Sequence, residues 1–206
     1  MAGTFITFEG GEGPGKSTHV RLLAERLGKM REAVATREPG GTAEAEALRT
    51  LLVTGDVRRW TPEAEALLNY AARDSHLNQV IRPALTRGAI VLCDRFMDST
   101  RAYQGYAGGC DMALIDALER GIVGPARPAL TLVFDLDPQL GLARARGRGD
   151  ASEDRYERKG IDFHNRLRDG FLAIAARDAG RCRVIDASRS IEEVSDSVWQ
   201  HVSGVL

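Results

Sequence analysis

The chain has 206 residues, enough for one compact domain that buries roughly 70% of its unfolded surface. With 43% hydrophobic and 28% charged residues it is ordinary globular sequence, which excludes a disordered or collagen-like chain. Its 28 basic and 29 acidic residues give a net charge of −1, which argues against a nucleic-acid scaffold or a membrane-surface protein. Only Lys16, Lys29 and Lys159 are lysines, so nearly all the positive charge is arginine, the side chain suited to clamping planar anions.

Short β-branched or apolar runs alternate with long amphipathic segments, the rhythm of a parallel sheet wrapped by helices. The first predicted strand, residues 5–8, leads into Gly10-Gly11-Glu12-Gly13-Pro14-Gly15-Lys16-Ser17-Thr18 and then a helix carrying Val20, Leu22, Leu23 and Leu27. A second strand at 33–36 is followed by Arg37-Glu38-Pro39-Gly40-Gly41-Thr42. Thr61 as N-cap and Pro62 at the first helical position open a helix over 62–85, with a disturbance expected at Pro83. A third strand, 90–93, ends in Asp94-Arg95-Phe96, and a fourth, 130–134, in Asp135 and Asp137. The Gly- and Arg-rich stretch 141–150 reads as a mobile loop. A fifth strand, 183–185, precedes a helix that opens on a Ser190/Glu193 capping box. The expected fold is therefore one α/β domain over residues 1–206, a five-stranded parallel sheet wrapped by helices. Cys93, Cys110 and Cys182 are odd in number and widely spaced, which suggests neither disulfides nor zinc and fits a reducing cytoplasm. No apolar run approaches the length of a membrane span, and no export signal is expected.

Residues 10–17 match G-x-x-x-x-G-K-[ST] in the strand-loop-helix context the motif requires. By typical residue usage a chance match in a chain this long is on the order of one per cent. The glycines let consecutive backbone N–H groups surround a β-phosphate, Lys16 neutralises the β and γ oxygens, and the Ser17 hydroxyl suits Mg²⁺. Asp94, at the carboxyl end of the sheet, is the favoured second metal ligand, with Asp135 and Asp137 competing. Arg95 follows as an anion grip, while Arg37 and Arg73 are further candidate arginines. The motif alone leaves open a phosphoryl-transfer enzyme or a P-loop switch or assembly ATPase.

The run from Phe5 to Ser17, the block Thr36-Arg37-Glu38-Pro39-Gly40-Gly41-Thr42, Asp94-Arg95-Phe96 and Ser99-Thr100-Arg101-Ala102-Tyr103-Gln104-Gly105 together resemble bacterial thymidylate kinase. The resemblance spans nearly the whole chain and implies a nucleoside-monophosphate-kinase fold, usually a homodimer, that transfers the γ-phosphoryl of ATP to dTMP with Mg²⁺. It implies that Arg95 clamps the acceptor phosphate, that Arg73 touches thymine and that phosphate, that Thr100 and Gln104 lie by the base edge, and that Tyr103 fills the space of a ribose 2′-OH. The family usually stacks a Phe on thymine four residues before the helix arginine, and here that position is Asn69. A kinase for another nucleoside monophosphate is the alternative this departure keeps open. Glu12 and the alternating Arg144, Arg146 and Arg148 resemble the subgroup with an acidic P-loop residue and an arginine-rich lid, here at about 141–156, in which lid arginines meet the charge of the transferred group. The alternation is two residues longer than in that subgroup, which leaves open whether Arg146 or Arg148 reaches the γ-phosphate.

Overall fold

Residues of β1 (Thr4–Gly10) are buried on both faces, as a central strand between two helical layers must be. The computed structural model describes residues 3–146 and 153–206. With β2 (Ala33–Arg37), β3 (Ile90–Asp94), β4 (Leu130–Asp135) and β5 (Cys182–Asp186), β1 forms a five-stranded sheet in the order β2-β3-β1-β4-β5. Every pairing is parallel. Each strand lies within two residues of its predicted position. The helices are α1 (Lys16–Leu27), α2 (Ala43–Val53), α3 (Pro62–His76), α4 (Arg82–Thr86), α5 (Met97–Thr100), α6 (Met112–Leu118), α7 (Pro138–Arg146), α8 (Ile161–Arg177) and α9 (Ile191–Ser203).

Alternation along the strands builds two cores. Ile6, Phe8, Leu92, Leu132 and Phe134 pack with Val20 and Leu23 of α1 and with Val194 and Val198 of α9. The intervening Phe5, Val91 and Cys93 pack with Ala66 and Tyr70 of α3 and Ile115 of α6. Neighbouring Val133 joins Phe171 and Ile174 of α8. The chain leaves β1 for β2 on one side and later passes from β3 to β4 on the other, so a crevice opens at the carboxyl end of β1, where parallel sheets place ligands.

The expected caps are present: the Thr61 hydroxyl accepts from Ala64 N, and Ser190 and Glu193 form the reciprocal box. The disturbance at Pro83 takes the form of a π-helical turn, Leu77–Ile81, between α3 and α4. Proline supplies no N–H to the preceding turn, and wider i→i−5 bonds re-phase the helix around it. Two further π-helical stretches, Arg101–Ala107 and Glu119–Val123, extend α5 and α6.

The expectation of a loop beginning at residue 141 is corrected. Gly141–Arg146 completes α7, which starts at Pro138 behind Asp137, whose carboxylate accepts from Gln139 N and Leu140 N. Gly141 is a packing glycine: a Cβ there would lie 2.3 Å from the Glu12 carbonyl oxygen. The remainder of that stretch, with Arg148, lies outside the described residues.

Candidate active site

Gly10, Gly13 and Gly15 have φ of 134°, 74° and 87°, so the turn from β1 into α1 needs residues without a Cβ. Lys16, at the start of α1, is buried, and its Nζ donates to the carbonyls of Gly11 at 2.8 Å and Gly10 at 3.4 Å. Burial first, then neighbouring Arg95, pushes its ammonium pKa down to about 8. Ser17 Oγ donates to Asp94 Oδ2 at 2.5 Å, which joins the N-terminus of α1 to the end of β3. A hydroxyl and a carboxylate in contact beside a phosphate-binding turn are hard oxygen donors that fit Mg²⁺, an ion that takes one or two protein ligands and completes its shell with phosphate and water. Asp135, the competing candidate, is instead held bidentately by Arg168 at 2.6 and 2.8 Å.

Arg95 has φ of 67°, the one non-glycine residue with positive φ among the described residues. That conformation costs on the order of 1–2 kcal/mol and is fixed from three sides. Arg95 N donates to Phe8 O at 2.9 Å, Phe96 N to Glu9 Oε1 at 2.8 Å, and Ser99 Oγ to Glu9 Oε2 at 2.5 Å. The reversed backbone turns the guanidinium over the P-loop, where it donates to Gly10 O at 2.6 Å and Gly11 O at 3.1 Å and pairs with Glu12 at 3.3 Å. It lies 4.9 Å from the Tyr103 ring centroid, and Tyr103 OH donates to Glu12 Oε1 at 2.5 Å. Burial works against charge on Glu12, but Arg95 and Lys16 outweigh it and hold the carboxyl below its usual range.

Beside this group opens a cleft that Glu38, Arg49, Phe96 and Tyr156 help to line. Of the predicted acceptor residues, Asn69, Arg73, Arg95, Thr100, Tyr103 and Gln104 line it. Arg37 does not: it is half-exposed at the end of β2 and pairs with Glu46 at 3.1 Å. Its neighbour Glu38 holds Arg73 Nε at 2.7 Å and His76 Nδ1 at 3.0 Å. Arg73 Nη2 donates to Phe96 O at 2.9 Å and Thr100 Oγ1 at 3.1 Å, while its buried Nη1 has no partner. A second cleft, on the other side of the P-loop, is lined by Gly13, Gly15, Thr18, Arg144, Arg189 and Ile191, among others. Arg146 is exposed at the end of α7.

Four residues central to the structure around the cleft have no role assigned from sequence: Glu9, Glu38, which lies in the 36–42 block, Arg155, which lies in the expected lid, and Glu65, which Arg155 meets at 2.6 Å. Glu9 is the one charged residue of β1, a signal that was available. Glu65 lies near the start of α3, where an acidic residue ordinarily complements the helix dipole.

The match to a family model described as thymidylate kinase covers residues 8–198. The chain belongs to the thymidylate kinase family. A thymidylate kinase from Caulobacter vibrioides is 54% identical over 197 residues, 95% of this chain and 94% of that one. One from Rhodopseudomonas palustris is 51% identical over 205 residues, 98% of this chain and 89% of that one. Among solved structures, thymidylate kinase from Ehrlichia chaffeensis superposes with a TM-score of 0.79 at 35% identity, covering 98% of this chain and 99% of that one. A P-loop nucleoside-monophosphate-kinase fold is thereby established, and the alternative of a P-loop switch or assembly ATPase is not favoured. Like its thymidylate kinase relatives the chain is an ATP-dependent phosphotransferase.

Proposed function

We infer that the chain transfers the γ-phosphoryl group of ATP to dTMP, giving dTDP and ADP for dTTP synthesis, through an in-line displacement without a covalent enzyme intermediate. The observation that carries the residue assignment is Arg73, which lines the cleft with Arg95 and keeps one buried guanidinium donor, Nη1, without a partner. Leaving such a donor unpaired is costly, so the cleft is built for a ligand that accepts hydrogen bonds. Arg95 and Arg73 grip the acceptor phosphate and base, Thr100, Gln104 and Asn69 lie by the base, and Tyr103 occupies the 2′ side of the sugar. Arg37 acts indirectly by pairing with Glu46 near the Gly40-Gly41 turn.

The loop from Gly10 to Thr18 cradles the ATP phosphates and Lys16 moves from the Gly10 and Gly11 carbonyls to the phosphate oxygens. The nucleoside of ATP takes the second cleft. Ser17 and Asp94 would hold Mg²⁺, which supplies charge neutralisation at the phosphates when bound. The attacking phosphate oxygen is already anionic, so no general base is needed. Arg146 and Arg148, in a lid at about 141–156, meet the charge that spreads over the transferred group. The reading places a single kinase domain in the cytoplasm as a homodimer, supported by the buried free cysteines and by exposed Leu67 on α3.

A coupled assay with MgATP and a panel of nucleoside monophosphates tests it: ADP formation should depend on dTMP, and acceptor-indifferent turnover would overturn the assignment. Arg95→Ala should lower kcat/KM for dTMP on the order of 100-fold or more, the cost of removing one member of a buried charge constellation.

A further inference from the structure

The carboxylate of Glu65 on α3 is buried and meets four polar groups from two segments of the chain, the π-helical stretch Arg101–Ala107 and residues 155–159. Arg155 Nη2 lies at 2.6 Å, Lys159 Nζ at 3.5 Å, Gln104 Nε2 at 2.8 Å and Tyr156 OH at 3.1 Å. Its backbone carbonyl accepts Asn69 Nδ2 at 2.9 Å. Flanked by two cations, the carboxylate is an acceptor at both oxygens, so it decides which way the Gln104 amide faces: Nε2 toward Glu65, Oε1 away from it. Gln104 lines the acceptor cleft, and its Oε1 makes no hydrogen bond among the described residues. Asn69, its neighbour in the cleft lining, has its amide nitrogen engaged in the same way. Both amides therefore have their carbonyl oxygens left to offer, while Arg73, which lines the same cleft, keeps one buried donor, Nη1, without a partner.

We propose that Glu65 is a specificity-positioning residue, which sets the hydrogen-bond polarity of the base pocket by locking Gln104 with its carbonyl toward the cleft. An acceptor from Gln104 beside a donor from Arg73 suits a base edge on which an N–H adjoins a carbonyl, as on thymine. Cytosine carries the reverse pattern, a ring-nitrogen acceptor beside an amino donor, and would face like groups at both positions. A site that leaves buried polar groups unpaired discriminates strongly against the wrong ligand. The same carboxylate takes Arg155, whose remaining donors bind the carbonyls of Leu52, Val57 and Asp56. Base polarity is thus tied to the anchor of the segment that follows residue 152. The inference rests on the dTMP reading above.

The test measures kcat and KM for dTMP and dCMP in the full chain, in Glu65→Gln, in Gln104→Ala and in the double variant. Glu65→Gln puts a second amide opposite Gln104 and frees it to turn. We expect KM for dTMP to rise about tenfold with kcat within about threefold, and the dTMP-to-dCMP ratio of kcat/KM to fall at least tenfold. Glu65→Asp, which keeps the carboxylate, should recover part of that ratio. In the Gln104→Ala background the substitution at Glu65 should cost no further discrimination, because the two act as one unit. Unchanged discrimination in Glu65→Gln, or equal losses in both backgrounds, overturns the proposal. A full chain that fails to phosphorylate dTMP overturns the earlier reading instead. Should Glu65→Gln not fold, the unaltered chain still decides: the side-chain amide protons of Gln104, assigned by their loss in Gln104→Ala, should exchange with solvent at least tenfold more slowly than those of an exposed glutamine. Free exchange overturns the proposal.

Discussion

Glu9 has no exposed surface, and both its oxygens are taken, by the Phe96 amide and the Ser99 hydroxyl. Burial first, then the neighbouring charge of Asp98, raises its pKa from 4.5 to about 7. Between those values the folded chain holds a proton that the unfolded chain has released. Its contribution is therefore complete below the unfolded pKa and lost as pH rises through about 7. Denaturant titrations at pH 4.5 and 8 should show the native chain losing on the order of 3 kcal/mol relative to Glu9→Gln across that interval. At Asn69 the expectation concerns affinity: Asn69→Phe adds a ring to the cleft lining and should lower KM for dTMP by roughly five- to a hundredfold if it stacks on the base. An unchanged KM would place residue 69 away from the base. Asn69 was legible because a motif fixed its spacing from Arg73. Glu65 was not, and of Glu9 only the charge within a strand was visible, since their partners lie far away in sequence, at 104 and 155 or at 96 and 99, and no local pattern reports such a meeting.

At the scale of elements, strands and capped helices were readable from periodicity and from Thr61, Pro62 and Ser190, and Pro138 reads as a helix start, whereas the part of α7 from 141 to 146 reads as loop. Its Gly141 and the arginines around it look like loop composition, yet the glycine serves close packing. An ideal Cβ at Gly13 would stand 2.0 Å from Gly141 O, and one at Gly141 would stand 2.3 Å from Glu12 O. The P-loop and α7 thus touch backbone to backbone. Gly141→Ala must push the helix from the loop, and KM for ATP should rise at least tenfold while KM for dTMP stays within about threefold; initial-rate kinetics in both substrates checks this. Equal effects on the two substrates would mean that α7 supports the whole fold and not the donor side. Pro83 announced a disturbance but not its π-helical form, and the π-helical stretches Arg101–Ala107 and Glu119–Val123 have no such marker in the sequence.

For the whole molecule, the order β2-β3-β1-β4-β5 brings the P-loop, Asp94-Arg95 and Asp135 to one edge, as the alternation of strand and helix promised. Charge was less legible. The arginine surplus pointed to clamps for planar anions, but not to the carboxylates among them: Glu12, Glu38, Glu153 and Glu157 line the cleft with Arg49, Arg73 and Arg95. Each of those arginines is already placed by a carboxylate: Arg73 by Glu38, Arg95 by Glu12 and Arg49 by Glu153. The first of these pairs is buried and the other two partly so, and such pairs are screened little by salt. KM for dTMP should therefore change less than about threefold between 50 and 300 mM KCl, whereas a steep rise would indicate capture by a diffuse basic surface. The backbone contact between Gly13 and Gly141 also makes α7 a lever with its fulcrum on the phosphate loop. Residues 141 to 146 extend it by about 7.5 Å, so a rotation of roughly 10° at the fulcrum would carry its far end by about 1.3 Å. With no side chain at the fulcrum to absorb strain by changing rotamer, little of the loop's movement would be dissipated before it reached Arg146.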